Sequence, residues 1–427
     1  MQSVFPTALQ NFAQLERRQR AILLAIVLVA ATLRFVQLEQ IPPGLHVDEA
    51  ATAWNAYTLL NTGKDQHGVS WPIFYTRAFG GNPTMMYIYA LIPFQAIGGL
   101  NAWTTRMPAA LAGVLTVMLI YFVGKRLFDP WIGLIAAAIL ALNPWHLLTS
   151  RILAEATLVP FCVMISIATL LWANFPLDDR DERQARPVFA ALAGAAIGIS
   201  CYGYWPIRMF LPLFLIVIVL VNWSAWRRCL NEPKGVWAAC VLVASAAIIM
   251  SPLLWSHLYD PEIAARGRNV GWVWEEFDSL GSKVGKVLLR YLGHFSPDFL
   301  FITGDLNPAL APPAGVGLFQ WYDLPLIAIG IWTVIQRRKF SIAARVLLVW
   351  ILLYPVGDFL FGYLGMHSLR SLPGLCAFVL LIAIGVQRVG NGLWTFGHSR
   401  ARIAAAIILI VALAMFNLLT LQSLLGK

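Results

Sequence analysis

Apolar residues in this chain fall into long runs that short polar segments separate. A helix needs roughly 20 apolar residues to cross a bilayer, and eleven of these runs approach or reach that length. The eleven runs lie at 20–37, 107–124, 131–147, 155–174, 188–203, 206–222, 236–254, 322–336, 341–360, 371–387 and 403–422. The pattern predicts an all-α, polytopic transmembrane protein with about eleven spans and no separate soluble domain.

One further apolar run, 84–98, is shorter and is interrupted by Pro93 and the Gly98-Gly99 pair. Proline and glycine disfavour a continuous helix at this point. Positive charge decides whether the run crosses, because Lys and Arg concentrate in the cytoplasmic loops of membrane proteins. If 84–98 does not cross, all six short basic segments fall on one face. We therefore expect an interfacial or re-entrant helix at 84–98 and a cytoplasmic N-terminus.

The same topology sends three segments to the outer face of a plasma (inner) membrane. These outer loops are 38–83, 148–154 and 255–321. Ionisable groups at membrane depth are costly unless they serve a function or have a partner. Candidate chemistry is therefore sought where polar side chains in these loops border apolar spans.

The composition agrees with a membrane protein. Of the 427 residues, 59% are hydrophobic and 12% charged, with a mean hydropathy of +0.70. A soluble globular protein has roughly 25% charged residues. The net charge of +10 does not indicate nucleic-acid binding, because the basic residues stand in short clusters between apolar runs. The five cysteines include no CxxC pair and favour packing over disulfide or metal roles.

The first outer loop holds the densest polar cluster. His46, Asp48 and Glu49 begin a predicted helix in which Trp54 and Tyr57 belong to an apolar stripe. Acids in a first turn also suit the helix dipole, so Asp48 and Glu49 have a plain structural interpretation. The functional interpretation is a carboxylate at the lipid–water boundary that acts as a general base.

Arginines mark three further outer segments. Arg151 and Glu155 stand four apart on a predicted helix that begins a span, so they should share a face, either as an ion pair or as a site for an anionic lipid head group. Tyr204 and Arg208 stand at the outer ends of two spans. In a later segment, His367 and Arg370 form a pair typical of an anion site. Together these segments suit an anionic amphiphile whose head group undergoes acid–base chemistry.

Asp305 stands in the outer loop 255–321, in the stretch GDLNP. Gly-Asp and Asn-Pro pairs are typical of turns, so a turn is favoured over a catalytic role for this residue.

With these segments the chain resembles the GT-C superfamily of polyprenyl-phosphate-sugar-dependent glycosyltransferases. The nearest branch is that of protein O-mannosyltransferases and lipid A aminoarabinose transferases. The resemblance covers about residues 20–390. The segments that carry it are HVDEA, Asn82-Pro83-Thr84, RMPAALAGVLTVMLIYFVGKRLF, NPWHLLTSRILAE, FLFITGDLNPALAPPAGVG and HSLRSLP.

The resemblance implies an enzyme that moves a sugar from a polyprenyl-phosphate donor to a hydroxyl acceptor on a protein, lipid or polysaccharide. It implies inversion of the anomeric carbon, with Asp48 as the base and Glu49 as its partner. The residues assigned to the donor phosphate are Arg151, Glu155, Arg208, His367 and Arg370. Those assigned to substrate binding are His46, Tyr57, Asn82 and Tyr204. Residues 1–400 would form the catalytic membrane module and 401–427 a final transmembrane helix.

Two departures from the family pattern affect this assignment. The second acid is often Asp, and here it is Glu155; the GDLN stretch is usually followed by Arg-His, and here Pro308-Ala309 follow it. The sequence also leaves room for a divalent metal, although no ligand spacing requires one. The metal candidates are His46, Asp48, Glu49, Glu155, His257 and His294.

Two other classes of function remain open at this point. A transporter or flippase of lipid-linked sugars would also place polar groups in a membrane cavity, but inverted repeats and broken helices at the midplane would be expected. A non-catalytic subunit of a glycan assembly complex would tolerate Asp48→Asn without loss of activity.

Overall fold

The computed structural model describes residues 17–77, 83–180, 184–260, 279–305, 316–338, 341–360 and 366–394. Within these ranges the chain is made of helices and turns, and β pairing is limited to isolated bridges. The predicted all-α class is confirmed. The predicted run 403–422 and the segment 401–427 lie outside the described residues.

The α-helices are numbered in chain order. They are α1 (Arg17–Phe35), α2 (Val47–Thr62), α3 (Met85–Gly98), α4 (Ala102–Leu127), α5 (Pro130–Leu142), α6 (Pro144–Thr149), α7 (Val159–Trp172), α8 (Pro187–Ser200), α9 (Trp205–Val221), α10 (Trp223–Leu230), α11 (Pro233–Tyr259), α12 (Leu280–Gly293), α13 (Asp323–Arg337), α14 (Ile342–Leu353) and α15 (Leu375–Trp394). Shorter turns are the 3₁₀ helices Glu155–Leu158, Tyr354–Gly357 and Leu372–Gly374 and the π-helical Asp298–Ile302.

Each predicted run before residue 390 coincides with a helix, but several helices are short. Four described helical segments are long and apolar enough to cross a bilayer, and the pair α9 and α10, bent by 87°, makes a fifth if it forms one span. The four are Ala102–Leu127, Glu155–Trp172, Pro233–Tyr259 and Leu372–Gly392. A helical membrane protein is thus supported, while the number of eleven spans stays a prediction.

The run 131–147 shows why hydropathy overestimates helix length. It contains Asn143 and Pro144, and α5 ends before them. The Asn143 side chain accepts a hydrogen bond from the His146 backbone N–H at 2.9 Å, which caps α6. Proline at the first helical position favours a new helix start. Capping chemistry therefore divides one apolar run into two helices.

Helix α4 lies at the centre of the fold and packs against α1, α3, α5 and α7. Glycines bring α4 and α5 close together: a Cβ on Gly133 would lie 2.5 Å from the carbonyl oxygen of Tyr121. Helix α11 has the opposite character, because only 11% of its apolar segment is buried and it packs mainly on α8. Most of α11 therefore presents apolar side chains to the surroundings, as a lipid-facing helix does.

Several contacts join segments that the topology prediction assigns to the same face. Arg126 donates to Asp178 at 2.8 Å, and both belong to segments predicted to be cytoplasmic; Ser341, at the start of the run 341–360, donates to Asp179 at 2.6 Å. Segments predicted to be outside contact one another in the same way. There, the Tyr75 hydroxyl donates to Asp260 at 3.1 Å.

Candidate active site

Asp48 and Glu49 begin helix α2, as the sequence predicts. His46 is the N-cap, and its ring Nδ1 accepts a hydrogen bond from the Asp48 backbone N–H at 3.3 Å. The Glu49 carboxylate in turn accepts from the His46 backbone N–H at 3.0 Å. This reciprocal arrangement is a capping box, which satisfies backbone donors at a helix start. It fixes the two adjacent acids at the entrance of the first outer loop.

Glu49 is buried and forms an ion pair with Arg106. Its two carboxylate oxygens lie 3.1 Å from Nε and 3.0 Å from Nη2 of the guanidinium. The Leu153 backbone N–H also donates to Oε1 at 2.8 Å. Bidentate arginine–carboxylate pairs are among the strongest hydrogen-bonded contacts. Glu49 therefore joins the first outer loop to α4 and to the segment after α6.

Arg106 also holds the chain that leads to Asp48. It donates to the carbonyl oxygens of Leu38 at 3.1 Å, Pro42 at 2.8 Å and Gly44 at 2.5 Å. The sequence analysis missed this residue. Its signal was an arginine near the start of an apolar helix, which is the feature that singled out Arg208.

The Asp48 side chain is 52% exposed, in contrast to its neighbour Glu49 at 3%. Its Oδ2 lies 3.6 Å from Nδ1 of His46. Further along α2, Tyr57 is half-buried and stacks on Trp54 with ring centroids 5.8 Å apart. Of the two adjacent carboxylates, Asp48 is thus the one that an incoming group can reach.

Arg151 caps the end of helix α1. Its Nη1 donates to Leu33 O at 2.6 Å, its Nη2 to Val36, Gln37 and Ile41 at 2.9, 3.1 and 3.0 Å, and its Nε to Ile41 at 3.3 Å. The last carbonyl groups of a helix have no partner within it, so Arg151 satisfies these. Burial and the nearby Arg106 charge lower the pKa of Arg151 to about 10, which leaves it cationic at neutral pH.

The expectation that Arg151 and Glu155 share a helix is wrong, because α6 ends at Thr149 and the 3₁₀ helix begins at Glu155. Glu155 instead accepts a hydrogen bond from the Thr84 backbone N–H at 3.0 Å. Thr84 is the N-cap of α3, and a carboxylate at a helix N-terminus is electrostatically favourable. Asn82, two residues earlier, lies outside the described residues.

Asp358 is the centre of a second buried cluster. One of its oxygens accepts from His294 Nε2 at 2.9 Å and from the His367 backbone N–H at 2.8 Å, and the other from Arg370 Nη1 at 3.3 Å. The sequence analysis did not single out Asp358.

Asp305 and Tyr204 complete this second cluster. Asp305 accepts from the backbone N–H and hydroxyl of Ser368 at 2.8 and 3.0 Å, and it lies 3.2 Å from Nδ1 of His367. Tyr204 hydrogen-bonds to the Arg370 side chain. Burial opposes the charge of Arg370, but the contacts with Tyr204 and Asp358 raise its pKa above the usual value. The turn around Asp305 therefore positions the predicted His367 and Arg370 pair.

Arg208 lies one turn beyond Tyr204 on α9. Its guanidinium stands over the Trp205 ring, 4.6 Å from the ring centroid. His257 also packs against Trp205, with the two ring centroids 5.7 Å apart. A cation over an aromatic face is stabilised by the ring quadrupole. The arrangement holds the Arg208 guanidinium against Trp205 at the start of α9.

A chain of contacts connects the two clusters. Glu49 reaches the segment at Leu153, and Glu155 two residues later holds the start of α3. That start lies against the turn before Tyr204, since a Cβ on Gly203 would lie 3.0 Å from the sulfur of Met86. The six metal candidates all lie in the described ranges, where no three His, Cys, Asp or Glu side chains gather as a metal site.

Known proteins share both sequence and architecture with this chain. Residues 81–255 match the family described as dolichyl-phosphate-mannose-protein mannosyltransferase. The crystal structure of ArnT from Cupriavidus metallidurans bound to undecaprenyl phosphate superposes with a TM-score of 0.58 at 18% identity, over 90% of this chain and 63% of that one. AglB from Archaeoglobus fulgidus, an archaeal oligosaccharyltransferase in complex with an inhibitory peptide and a dolichol-phosphate, gives 0.58 at 14% identity, over 95% and 55%. The chain has the GT-C fold.

Sequence relatives of this GT-C chain are named glycosyltransferases. An undecaprenyl phosphate-alpha-4-amino-4-deoxy-L-arabinose arabinosyl transferase of Pseudomonas fluorescens is 28% identical over 170 residues, which are 39% of this chain and 27% of that protein. YycA of Bacillus subtilis, named only provisionally as a mannosyltransferase, is 25% identical over 303 residues, 69% of this chain and 39% of that protein. The GT-C chain thus spans about a quarter to two fifths of these relatives' lengths. The expected resemblance to GT-C glycosyltransferases is confirmed.

Proposed function

We propose that this chain is a membrane glycosyltransferase that moves a sugar from a polyprenyl-phosphate donor to a hydroxyl acceptor. The names of its relatives and the polyprenyl phosphates in the ArnT and AglB structures support this class. The observation that carries the proposal is the contrast between two adjacent acids. Glu49 has both oxygens engaged in the interior, whereas Asp48 is half exposed on the same helix turn.

Asp48 acts as the general base in this proposal. Its carboxylate takes the proton of the acceptor hydroxyl, and the hydroxyl oxygen forms a bond to the anomeric carbon. The bond from that carbon to the phosphate oxygen breaks, and its electron pair leaves with the polyprenyl phosphate. Attack from the face opposite the phosphate inverts the anomeric carbon. A positioned base of this kind contributes about 100- to 10,000-fold to a rate.

The second cluster provides the positive charge for the leaving phosphate. Arg370 and His367 are brought together by Asp358 and Asp305, and Tyr204 contacts Arg370. Arg208 follows one turn after Tyr204 on α9. Donors placed where negative charge develops give the largest single contribution in many enzymes. Arg370 contacts the donor phosphate, and His367, Tyr204 and Arg208 line the path by which the phosphate approaches.

Three predicted site residues act indirectly, by positioning the groups that take part in the reaction. Glu49 holds the loop before Asp48 through Arg106. Arg151 caps α1 with all of its nitrogen atoms, and Glu155 fixes the start of α3. In this proposal they set the distance between the base and the phosphate region, and they do not contact the donor themselves. His46 orients Asp48, and Tyr57 and Asn82 belong to the acceptor side.

The site lies at the outer face of the plasma membrane, in a chain of about eleven spans with a cytoplasmic N-terminus. The distribution of Lys and Arg supports this orientation. Contacts such as Arg126 with Asp178, on the side opposite the two clusters in the predicted topology, also support it.

Transfer assays with matched variants test the proposal. Purified protein in lipid nanodiscs is incubated with radiolabelled undecaprenyl-phosphate mannose, glucose or aminoarabinose and with hydroxyl acceptors of peptide and lipid type. We expect transfer by the wild type and by Glu39→Gln, which replaces a nearby exposed acid. Asp48→Asn should lose at least about 100-fold in kcat. Unchanged transfer in Asp48→Asn rejects the base, and movement of lipid-linked sugar across the bilayer without transfer supports a flippase instead.

A further inference from the structure

The ring of His294 lies between two hydrogen-bond acceptors. Its Nε2 is 2.9 Å from a carboxylate oxygen of Asp358, and its Nδ1 is 2.8 Å from the carbonyl oxygen of Arg290. Both ring nitrogens of His294 are therefore engaged, and the ring is held in one orientation between the Asp358 carboxylate and the Arg290 carbonyl.

His294 is also fixed through its backbone. The Tyr354 hydroxyl donates to its carbonyl oxygen at 2.5 Å, and the residue directly follows helix α12. Both His294 and Asp358 are fully buried, with side-chain exposures of 0%. Buried ion pairs with every atom engaged are rigid, because water is not available to replace a lost partner. The position of the Asp358 carboxylate is thus determined from one side by His294.

Asp358 uses its other oxygen on Arg370, whose side chain is 13% exposed. Arg370 therefore bridges the buried carboxylate and the less buried edge of the cluster, where it also contacts Tyr204. A guanidinium carries five N–H groups in a rigid plane, so two fixed contacts orient that plane while it binds a phosphate as well. A long side chain without such contacts would lose conformational entropy on binding.

We propose that Asp358 and His294 form a positioning pair that presents the Arg370 guanidinium to the phosphate of the polyprenyl donor. The proposal rests on the proposed transferase function, in which Arg370 contacts that phosphate. Neither member of the pair touches the donor: Asp358 orients Arg370, and His294 holds the Asp358 carboxylate in place. The same carboxylate receives the backbone N–H of His367, so it also aligns the loop that carries Arg370.

Coupling between substitutions separates a positioning role from a purely structural one. The variants are Asp358→Asn, Arg370→Gln and the double variant, measured for donor KM, acceptor KM and kcat. Because Asp358 acts through Arg370, Asp358→Asn should raise the donor KM about 10- to 100-fold and leave the acceptor KM unchanged. The double variant should be no worse than Arg370→Gln alone, since residues that act as a unit are not additive.

The control pair is Asp178 with Arg126. It is also a buried carboxylate–arginine contact, at 2.8 Å, and it lies among the segments predicted to be cytoplasmic. Asp178→Asn should lower the melting temperature without changing the donor KM. When Asp178→Asn is combined with Arg370→Gln, the two changes in melting temperature should add. His294→Gln provides a second, milder variant, because its amide keeps one N–H for Asp358; its donor KM should lie between those of the wild type and Asp358→Asn.

Binding of undecaprenyl phosphate, followed by the shift in melting temperature, gives a readout independent of transfer. If the wild type and Asp358→Asn bind this lipid equally well, or if Asp358→Asn and Arg370→Gln add in donor KM, the positioning pair is overturned while the transferase function stands. If the wild type neither binds the lipid nor transfers any sugar, both the transferase function and the positioning pair are rejected. Weaker binding by Asp358→Asn and His294→Gln, with Asp178→Asn unchanged, supports the pair.

Discussion

Arg106 and Glu49 form a bidentate ion pair in the interior of the protein, with both side chains at most 3% exposed. The pair ties helix α4 to helix α2 across 57 positions of sequence. Because Arg106 also holds the carbonyl groups of Leu38, Pro42 and Gly44, the loop before Asp48 depends on it. Loss of either partner would leave an uncompensated buried charge.

We expect Arg106→Gln and Glu49→Gln each to destabilise the protein by about 3–5 kcal/mol, the usual cost of breaking a buried pair. The double substitution Arg106→Gln with Glu49→Gln should cost less than the sum of the two single losses, because the ion pair is lost only once and no charge then remains buried. Melting temperatures in detergent, followed by intrinsic tryptophan fluorescence, measure the effect. A double variant whose loss equals that sum contradicts the ion-pair account.

Asp48 should behave in the opposite way to its neighbour. Since its side chain is 52% exposed, Asp48→Asn removes no buried contact and should leave the melting temperature within about 1 °C of the wild type. Its transfer activity should nevertheless be lost. A fall in melting temperature similar to that of Glu49→Gln would show that Asp48 also has a structural role.

Apolar runs predicted the helices because each span must bury its backbone polar groups within one continuous segment. The start of α2 could also be predicted from neighbouring residues, because a stop at Pro42-Pro43-Gly44 followed by acids is an N-terminus signature. The predicted helix shared by Arg151 and Glu155 was wrong for a local reason as well. Residues 150–154 leave the helix, so the four-residue spacing to Glu155 carries no information about a shared face.

The sequence did not predict which residues pair with each other across the tertiary structure. Glu49 finds Arg106 57 residues away, and His294 finds Asp358 64 residues away. Periodicity reports which face of a helix is apolar, but it does not report which other element packs on that face. Asp358 also stands near the end of the apolar run 341–360 and therefore resembled the polar end of a span. Only its three donors identify it as the centre of a cluster.

Arg151 and Arg370 should respond differently to replacement by lysine. Arg151→Lys keeps the charge but cannot reach four carbonyl groups at once, so the end of α1 should be destabilised by about 1–3 kcal/mol. Its donor KM should stay near that of the wild type. Arg370→Lys should raise the donor KM with a smaller loss of stability. Donor kinetics and melting temperatures of both variants measure the contrast, and a raised donor KM in Arg151→Lys would place it at the phosphate.

Helix α12 should lie at the membrane–water boundary. It contains no buried side chain, and Leu280, Val284, Leu288 and Leu292 follow one another at four-residue spacing with exposures of 78%, 57%, 53% and 52%. Lys283 and Lys286 stand on the other side of the helix. An amphipathic helix with this pattern places its apolar face among acyl chains and its basic face among head groups.

Spin labels in proteoliposomes measure this position for α12. We expect a label at Leu288→Cys to collide with oxygen, which concentrates in lipid, and a label at Lys286→Cys to collide with a water-soluble nickel chelate. The exposed Cys240 and the half-buried Cys229 are replaced by serine in both proteins, so that the label reports the chosen position. Because the two sites are less than one helical turn apart, depth in the bilayer alone cannot separate them, and a difference reflects the two faces of the helix. A label at Leu288 that the nickel chelate reaches as readily as one at Lys286 would show that water covers this apolar strip.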